Sequence, residues 1–348
     1  MRILDRNDKR RNMSLIKNIP TLIRQDYNQP AIMELEGKRW TSTCIGCVDP
    51  KCMFYADDEI LCEDIPDFPA EKNNNVCPIS VISWNDEAVM PVIDTQHCIK
   101  CGLCASRCPV GAIFFNEDTG EMEISIDNDK QKVVISEQNI LRQNDSLEAI
   151  SRIKWKHHFR IEDDYDLDDI YADILSYDGR TNVHNHFTRN LIIALGYKCS
   201  ISRIGDVYTR MDAVYSDGTT KGAVEIEFGR DTLDASRGIL DDIATLQTHN
   251  GITKNDNTAL VVCLSYPNKR QGYFQVIKDI KKVLGIEIQT ISIGSLLILL
   301  WNGESIDLSE KEFYVDFDNL SVRSVLEKIL GREVQISDGW LGIIEPEK

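Results

Sequence analysis

The chain has no long hydrophobic run. Its longest, Ile291–Trp301, is interrupted by Gly294 and Ser295. A membrane-spanning helix needs about 20 apolar residues, so no membrane segment is expected. An apolar leader is missing too: residues 1–24 carry charges throughout, unlike the apolar core of a signal peptide. Positive charge is scarce. Against 56 Asp and Glu stand 39 Lys and Arg, a net charge of −17, and such a chain is repelled by phosphate backbone unless a local basic surface reverses the sign. Glycine (20) and proline (10) are too few, and hydrophobic residues (42%) too many, for a disordered chain. At roughly 150 residues per domain, the 348 residues make room for two. Cysteine is nearly absent outside one stretch. Nine of eleven lie between Cys44 and Cys108, and only Cys199 and Cys263 lie elsewhere. In a reducing, cytoplasmic setting, expected here without a leader, clustered thiols read as metal ligands before disulfides.

The strongest pattern is Cys98-x2-Cys101-x2-Cys104-x3-Cys108-Pro109. Its short spacings let three thiolates on one loop wrap an iron–sulfur cube, while the fourth cysteine, before the proline, points to a second cluster. A zinc ribbon would instead want two CxxC pairs about 15–20 residues apart. A second set, Cys44-x2-Cys47-x4-Cys52, is followed after a long insert by Cys77-Pro78. The text HCIKCGLCASRCPVGAIFF resembles the bacterial two-cluster [4Fe–4S] ferredoxins, over residues 31–136. That resemblance implies cross-ligation: Cys44, Cys47, Cys52 and Cys108 on one cluster, and Cys98, Cys101, Cys104 and Cys77 on the other. The Cys47–Cys52 gap and the Cys52–Cys77 stretch are both longer than the family's usual spacing. Cys62 competes with Cys77, and the following proline favours Cys77. Cys62 is then a spare thiol, a buried small hydrophobe.

The insert, 53–76, holds Asp57, Asp58, Glu59, Glu63, Asp64, Asp67 and Glu71 against Lys72. A solvated loop is the expectation; a docking surface for a basic redox partner protein is the sharper reading. Strand-like runs frame the cysteines, with turns expected at Glu36-Gly37, Asn85-Asp86 and Asp127-Asn128.

Residues 137–179 read as a linker with a helix around Ile140–Ile153, then the basic run Arg152–Arg160 and an acidic run, Glu162–Asp173. Opposite-sign blocks in tandem are usually solvated. His157 and His158 are too close to be a metal pair on one helix face, and the triplet His184-Asn185-His186 has no nuclease-motif spacing. Beyond Asp178 the pattern is α-β-β-β-α-β-α-β: a helix closed by Gly196, strands at Lys198–Ile204, Val207–Ser216 and Gly222–Phe228, a helix at Ala235–Thr248, a strand at Thr258–Ser265, a helix at Phe274–Leu284 and a long apolar segment from Ile286 to Trp301. Helices alternating with strands indicate an α/β domain with a central mixed sheet. It occupies 180–305, with 306–348 as a C-terminal extension and 1–30 as an N-terminal arm.

Asp217-Gly218 is a hairpin turn signal. Centring the turn between Gly218 and Thr219 sets Asp212 opposite Glu225, and Glu227 shares the face of Glu225. Three carboxylates on one patch repel unless a hard cation sits among them, and oxygen ligands suit Mg²⁺. An initial helix, a three-strand meander, Asp on one strand and Glu-x-Glu on the next resemble the PD-(D/E)xK, restriction-endonuclease-like nucleases. The resemblance implies that Asp212 and Glu225 hold Mg²⁺, that Glu227 stands where the usual Lys would be and that the three are catalytic. Lys221 and Arg230 are candidates to neutralise transition-state charge, and Gln247 to touch substrate. For nucleic acid, the arm offers Arg2, Arg6, Lys9, Arg10, Arg11, Lys17 and Arg24 against Asp5 and Asp8, a charge of +5. Two functions emerge: an α+β dicluster ferredoxin-like domain joined to a Mg²⁺-dependent endonuclease-like domain, or an electron-transfer ferredoxin whose C-terminal domain is a non-catalytic docking module.

Overall fold

A computed structural model of the chain describes residues 21–23, 27–35, 37–44, 50–88, 90–126, 170–173, 182–206, 209, 211–229, 232–253, 257–336 and 342–346. Small antiparallel units surround the cysteines: β1 (Thr21–Ile23), β2 (Ile32–Leu35) and β3 (Lys38–Thr41) in one sheet, then the hairpins β4 (Ile82–Asn85) with β5 (Met90–Ile93) and β6 (Ile113–Asn116) with β7 (Glu121–Ile124). The expected turn at Asp127-Asn128 falls outside the described residues. Here β7 folds back on β6, because the Asn116 side chain takes the Asp118 amide at 2.9 Å and Gly120 closes the turn at a φ of +69°. Two short helices, α1 (Asp57–Ile60) and α2 (Leu103–Arg107), complete this half.

The second half is an α/β unit: α3 (Val183–Ala194), β8 (Lys198–Ile201), β9 (Ala213–Ser216), β10 (Lys221–Glu227), α4 (Ala235–His249), β11 (Asn257–Cys263), α5 (Tyr273–Leu284), β12 (Ile288–Ser292), α6 (Ile293–Trp301) and α7 (Arg323–Leu330). The sheet runs β12-β11-β10-β9-β8, with β8, β9 and β10 an antiparallel meander and β10, β11 and β12 parallel. β11 has a continuous buried apolar run from Ala259 to Cys263, as expected of a strand covered on both faces. The apolar segment 286–301 divides into β12 and α6, and every residue of α6 is buried. It is a core helix, apolar all round, and no helix among the described residues is long and apolar enough to cross a membrane.

The flanking regions are structural. Of the linker, only 170–173 is described, so its expected helix and basic run lie outside the described residues. Tyr171 accepts the Gly294 amide at 2.8 Å. The C-terminal extension shares the sheet's core: Val315 bridges to Thr290, and Ser295 donates to the Ile343 carbonyl at 3.1 Å.

The insert is not the solvated loop expected from its acidity. Tyr55, Ile60, Cys62, Ile65 and Val76 are buried in one hydrophobic cluster with the C-terminal sheet. Its edge pairs with β8 and the residues after it, Glu71 donating to the Ile201 carbonyl and Arg203 to that of Pro69. Of its acids, Glu59 pairs with Arg107 at 2.9 Å and Asp64 with Lys221 at 3.6 Å. Polar residues face partners far away in sequence, which composition does not reveal.

Candidate functional site

The Cys98–Cys108 loop folds around its thiols. Lys100 and Gly102 both adopt left-handed backbone, φ +57° and +81°, turning the chain so that successive cysteines face inward. A Cβ at Gly102 would collide with the Tyr27 ring, 2.9 Å from its Cε1, so the position needs glycine both for conformation and for space. The Lys100 amide donates to Cys98 Sγ at 3.4 Å. Cys77, Cys98, Cys101 and Cys104 line one cavity, walled by Ile79, Ile93, Leu103 and Met122. Its wall is almost wholly apolar carbon and sulfur.

Burial, then the neighbouring thiols, pushes the Cys98 thiol up to about 11, and Cys101 and Cys104 are raised as well. Unliganded, these three thiols stay protonated, and bound cations would draw off their protons. Among the described residues no three His, Cys, Asp or Glu side chains converge as ligands of a single ion. Sulfurs distributed round a cavity fit a cube, with one thiolate per iron, better than a lone zinc. The donor set therefore fits [4Fe–4S].

Cys52 and Cys108 are buried in a second hydrophobic cluster, with Cys44 packed against it. The Cys108 sulfur accepts the Ala112 amide at 3.2 Å, and the Cys52 thiol is near enough to Cys104 to act on it electrostatically. Cys47 lies outside the described residues. Cys62 sits apart. Its amide donates to Ser200 Oγ at 3.0 Å, its thiol lies 3.7 Å from the Val214 carbonyl, and burial raises it to about 11.

Known proteins agree with this geometry. A family profile for the 4Fe–4S binding domain matches residues 91–114. An uncharacterized ferredoxin of Methanocaldococcus jannaschii is 32% identical over 90 residues, covering 24% of this chain and 58% of that protein. The chain carries a ferredoxin-type 4Fe–4S domain. A second uncharacterized ferredoxin of that organism is 32% identical over 87 residues, 25% of this chain and 39% of its own length. The ferredoxin-like protein YdhY of Escherichia coli, also uncharacterized, is 30% identical over 67 residues, 19% of this chain and 22% of its own. The chain thus spans only about two fifths to three fifths of the two archaeal ferredoxins.

The ferredoxin-type domain is bolted to the C-terminal sheet. Trp301, at the end of α6, donates its indole N–H to the Cys101 carbonyl at 2.9 Å. Asn190 on α3 donates to the Asn75 and Val76 carbonyls at 3.1 and 2.7 Å, holding the chain beside Cys77. Tyr55 donates to the Asn190 carbonyl at 3.2 Å, and the Arg107 guanidinium lies 4.1 Å above the Tyr55 ring.

A separate group of acids lies on the C-terminal sheet. β9 and β10 pair with Lys221 opposite Ser216 and Val224 opposite Ala213, and one step further brings Asp212 to Glu225. Asp212 accepts the Ile226 amide at 2.9 Å and the Asn185 side chain at 3.2 Å. Glu225 lies against α4, where a Cβ on Gly238 would come within 2.5 Å of its Oε1. One turn on, Asp242 is only 2% exposed and faces it. Burial, then the Asp212 charge, raises Glu225 to about 9, and burial raises Asp242. Glu227 instead turns its carboxylate to the Gly229 amide at 2.6 Å.

Asp242 and Asn185 are missed by sequence reasoning, since an isolated polar residue on a helix carries no signal. The triplet discounted as a motif supplies Asn185, while its His184 stacks on Phe228 at 4.5 Å. Lys221 pairs with Asp64 at 3.6 Å. Gln247 is exposed on α4, and Arg230 lies outside the described residues.

Proposed function

We propose that the protein is an electron-transfer iron–sulfur protein with two [4Fe–4S] clusters, one on Cys77, Cys98, Cys101 and Cys104, the other on Cys44, Cys47, Cys52 and Cys108. The observation that carries this is the apolar cavity ringed by the four thiols of the first set, with Cys52 of the second beside Cys104. A single cluster suffices to staple a fold; two adjacent ones give an electron a route through the domain. The ferredoxin names of the two archaeal relatives support the same reading. A basic redox partner would meet the exposed acids Asp57, Asp58, Glu63 and Asp67 of the insert. Electron paramagnetic resonance of the dithionite-reduced protein tests it. Two magnetically coupled [4Fe–4S] signals are expected, and a single uncoupled signal contradicts the reading.

A second activity is favoured by one observation: Asp212 and Glu225 adjoin on a sheet whose order, α3-β8-β9-β10-α4-β11, is that of the PD-(D/E)xK nucleases. On this reading the pair holds Mg²⁺, which would supply an activated water for phosphodiester hydrolysis, and Glu227 orients that water. The N-terminal arm, whose basic residues lie outside the described residues, grips nucleic acid. Mg²⁺-dependent cleavage of DNA or RNA that Asp212→Ala abolishes is the expected result. No cleavage of either polymer leaves the sheet as the docking module of the electron carrier.

A further inference from the structure

Arg189 lies in the middle of α3 and is 0% exposed. Its fork donates to neutral oxygens only: the Asn73 carbonyl at 2.5 Å, the Asn75 carbonyl at 3.4 Å and the Asn190 side chain at 2.9 Å. No carboxylate among the described residues stands within ion-pair distance of it. The groups that act on it are Tyr55, the Cys199 thiol and the Glu71 carboxylate, one oxygen of which takes the Lys72 and Asn73 amides. A buried guanidinium without an anion is costly, and it does not escape by losing its proton.

Two lines place the missing anion. The carbonyls Arg189 holds belong to the run 73–75 that leads into Cys77. Its guanidinium also lies 5.9 Å from the Tyr55 ring, whose surroundings include Arg107 and the Cys101 thiol. Of the two guanidiniums at that ring, Arg107 already has its carboxylate in Glu59, at 2.9 and 3.0 Å. Arg189 has none.

We infer that Arg189, contributed by the C-terminal domain, is the buried countercharge of the cluster held by Cys77, Cys98, Cys101 and Cys104, and sets its reduction potential. A cube with four thiolates is an anion, and taking up one electron makes it more negative. A fixed positive charge in a low-dielectric interior favours that reduced form. Arg189 is thus a positioning and tuning residue, not a ligand. The inference rests on the proposed ligand set and explains why the ferredoxin-type domain is bolted to α3.

The test is a potentiometric titration of the intact chain, followed by electron paramagnetic resonance, on wild type, Arg189→Gln, Arg189→Lys and Asn73→Asp. Arg189→Gln is expected to lower the potential of the cluster lost in Cys77→Ser and to leave the other unmoved. Arg189→Lys, which keeps the charge, is expected to stay near wild type. Asn73→Asp keeps the acceptor for the Asn75 amide and sets a carboxylate beside the guanidinium. It is expected to lower the same potential without removing any hydrogen bond of Arg189, so the test stands if Arg189→Gln does not fold. Unchanged potentials in Asn73→Asp, equal shifts of both clusters, or a fall in Arg189→Lys as large as in Arg189→Gln overturn the inference. If Cys77→Ser retains both clusters, it is the ligand assignment that fails instead.

Discussion

Replacing Trp301 by Phe removes one hydrogen bond and keeps most of the ring. Trp301 is 1% exposed, and its Nε1 is the donor to the Cys101 carbonyl. Losing a buried hydrogen bond costs about 1 kcal/mol, and stranding the acceptor raises the total to about 2–3 kcal/mol. The smaller ring leaves a void worth about 1 kcal/mol more. A loss of about 3–4 kcal/mol is therefore expected, large beside the stability of ordinary domains. Its location matters more than its size. Cys101 and Leu103 belong to the same hydrophobic cluster as α6 and the sheet, so damage at Trp301 must reach the iron. Anaerobic urea unfolding, followed by visible cluster absorbance and by far-ultraviolet circular dichroism, reads both ends. The two curves are expected to coincide in wild type and to move together in the variant. A variant that loses less than about 0.5 kcal/mol, or moves one curve alone, refutes the continuous core, since surface changes are of that size.

Other perturbations have equally definite outcomes. Asn190→Ala strands the Asn75 and Val76 carbonyls and should cost about 2–4 kcal/mol, with iron lost from the Cys77 side first on chelator challenge. Glu225 and Asp242 both titrate above their ordinary values in the fold, so the folded chain keeps protons that the unfolded chain releases. Stability is then full below the ordinary carboxylate values of 3.8 and 4.5 and falls as pH rises toward about 9; Glu225→Gln should flatten that decline in urea titrations across the window. If Mg²⁺ is the natural occupant, Mn²⁺ soaked into crystals should sit about 2–2.5 Å from oxygens of Asp212 and Glu225 and restore stability at high pH. Asp212→Ala should abolish both effects while iron content stays unchanged.

Local chemistry was legible in the sequence; distant pairing was not. The cysteine loop announces itself because its ligands are three residues apart and its turns need Gly102. The β9–β10 register follows from Asp217-Gly218, whose turn fixes every later pair, and so Asp212 and Glu225 could be set side by side. The acidic insert misleads because Asp64, Glu59 and Glu71 look like solvated charge until Lys221, Arg107 and the 71–73 turn take them up. Asp242 and Asn185 give no local sign, since each reaches its partner only after the helix docks on the sheet. Segment 286–301 is equally apolar as strand or helix, and only the Ser292 cap, which accepts the Ser295 amide at 3.2 Å, marks where one becomes the other.

The central claim is the pair of cubes and the choice of Cys77 over Cys62, and iron and acid-labile sulfide counted in anaerobically purified protein test it most directly. Wild type is expected to hold close to eight of each per chain, on the rule of four thiolates per cube. Cys77→Ser should fall to about half, and Cys62→Ser should match wild type. One zinc per chain without iron, or loss of a cluster in Cys62→Ser with both retained in Cys77→Ser, would contradict the account.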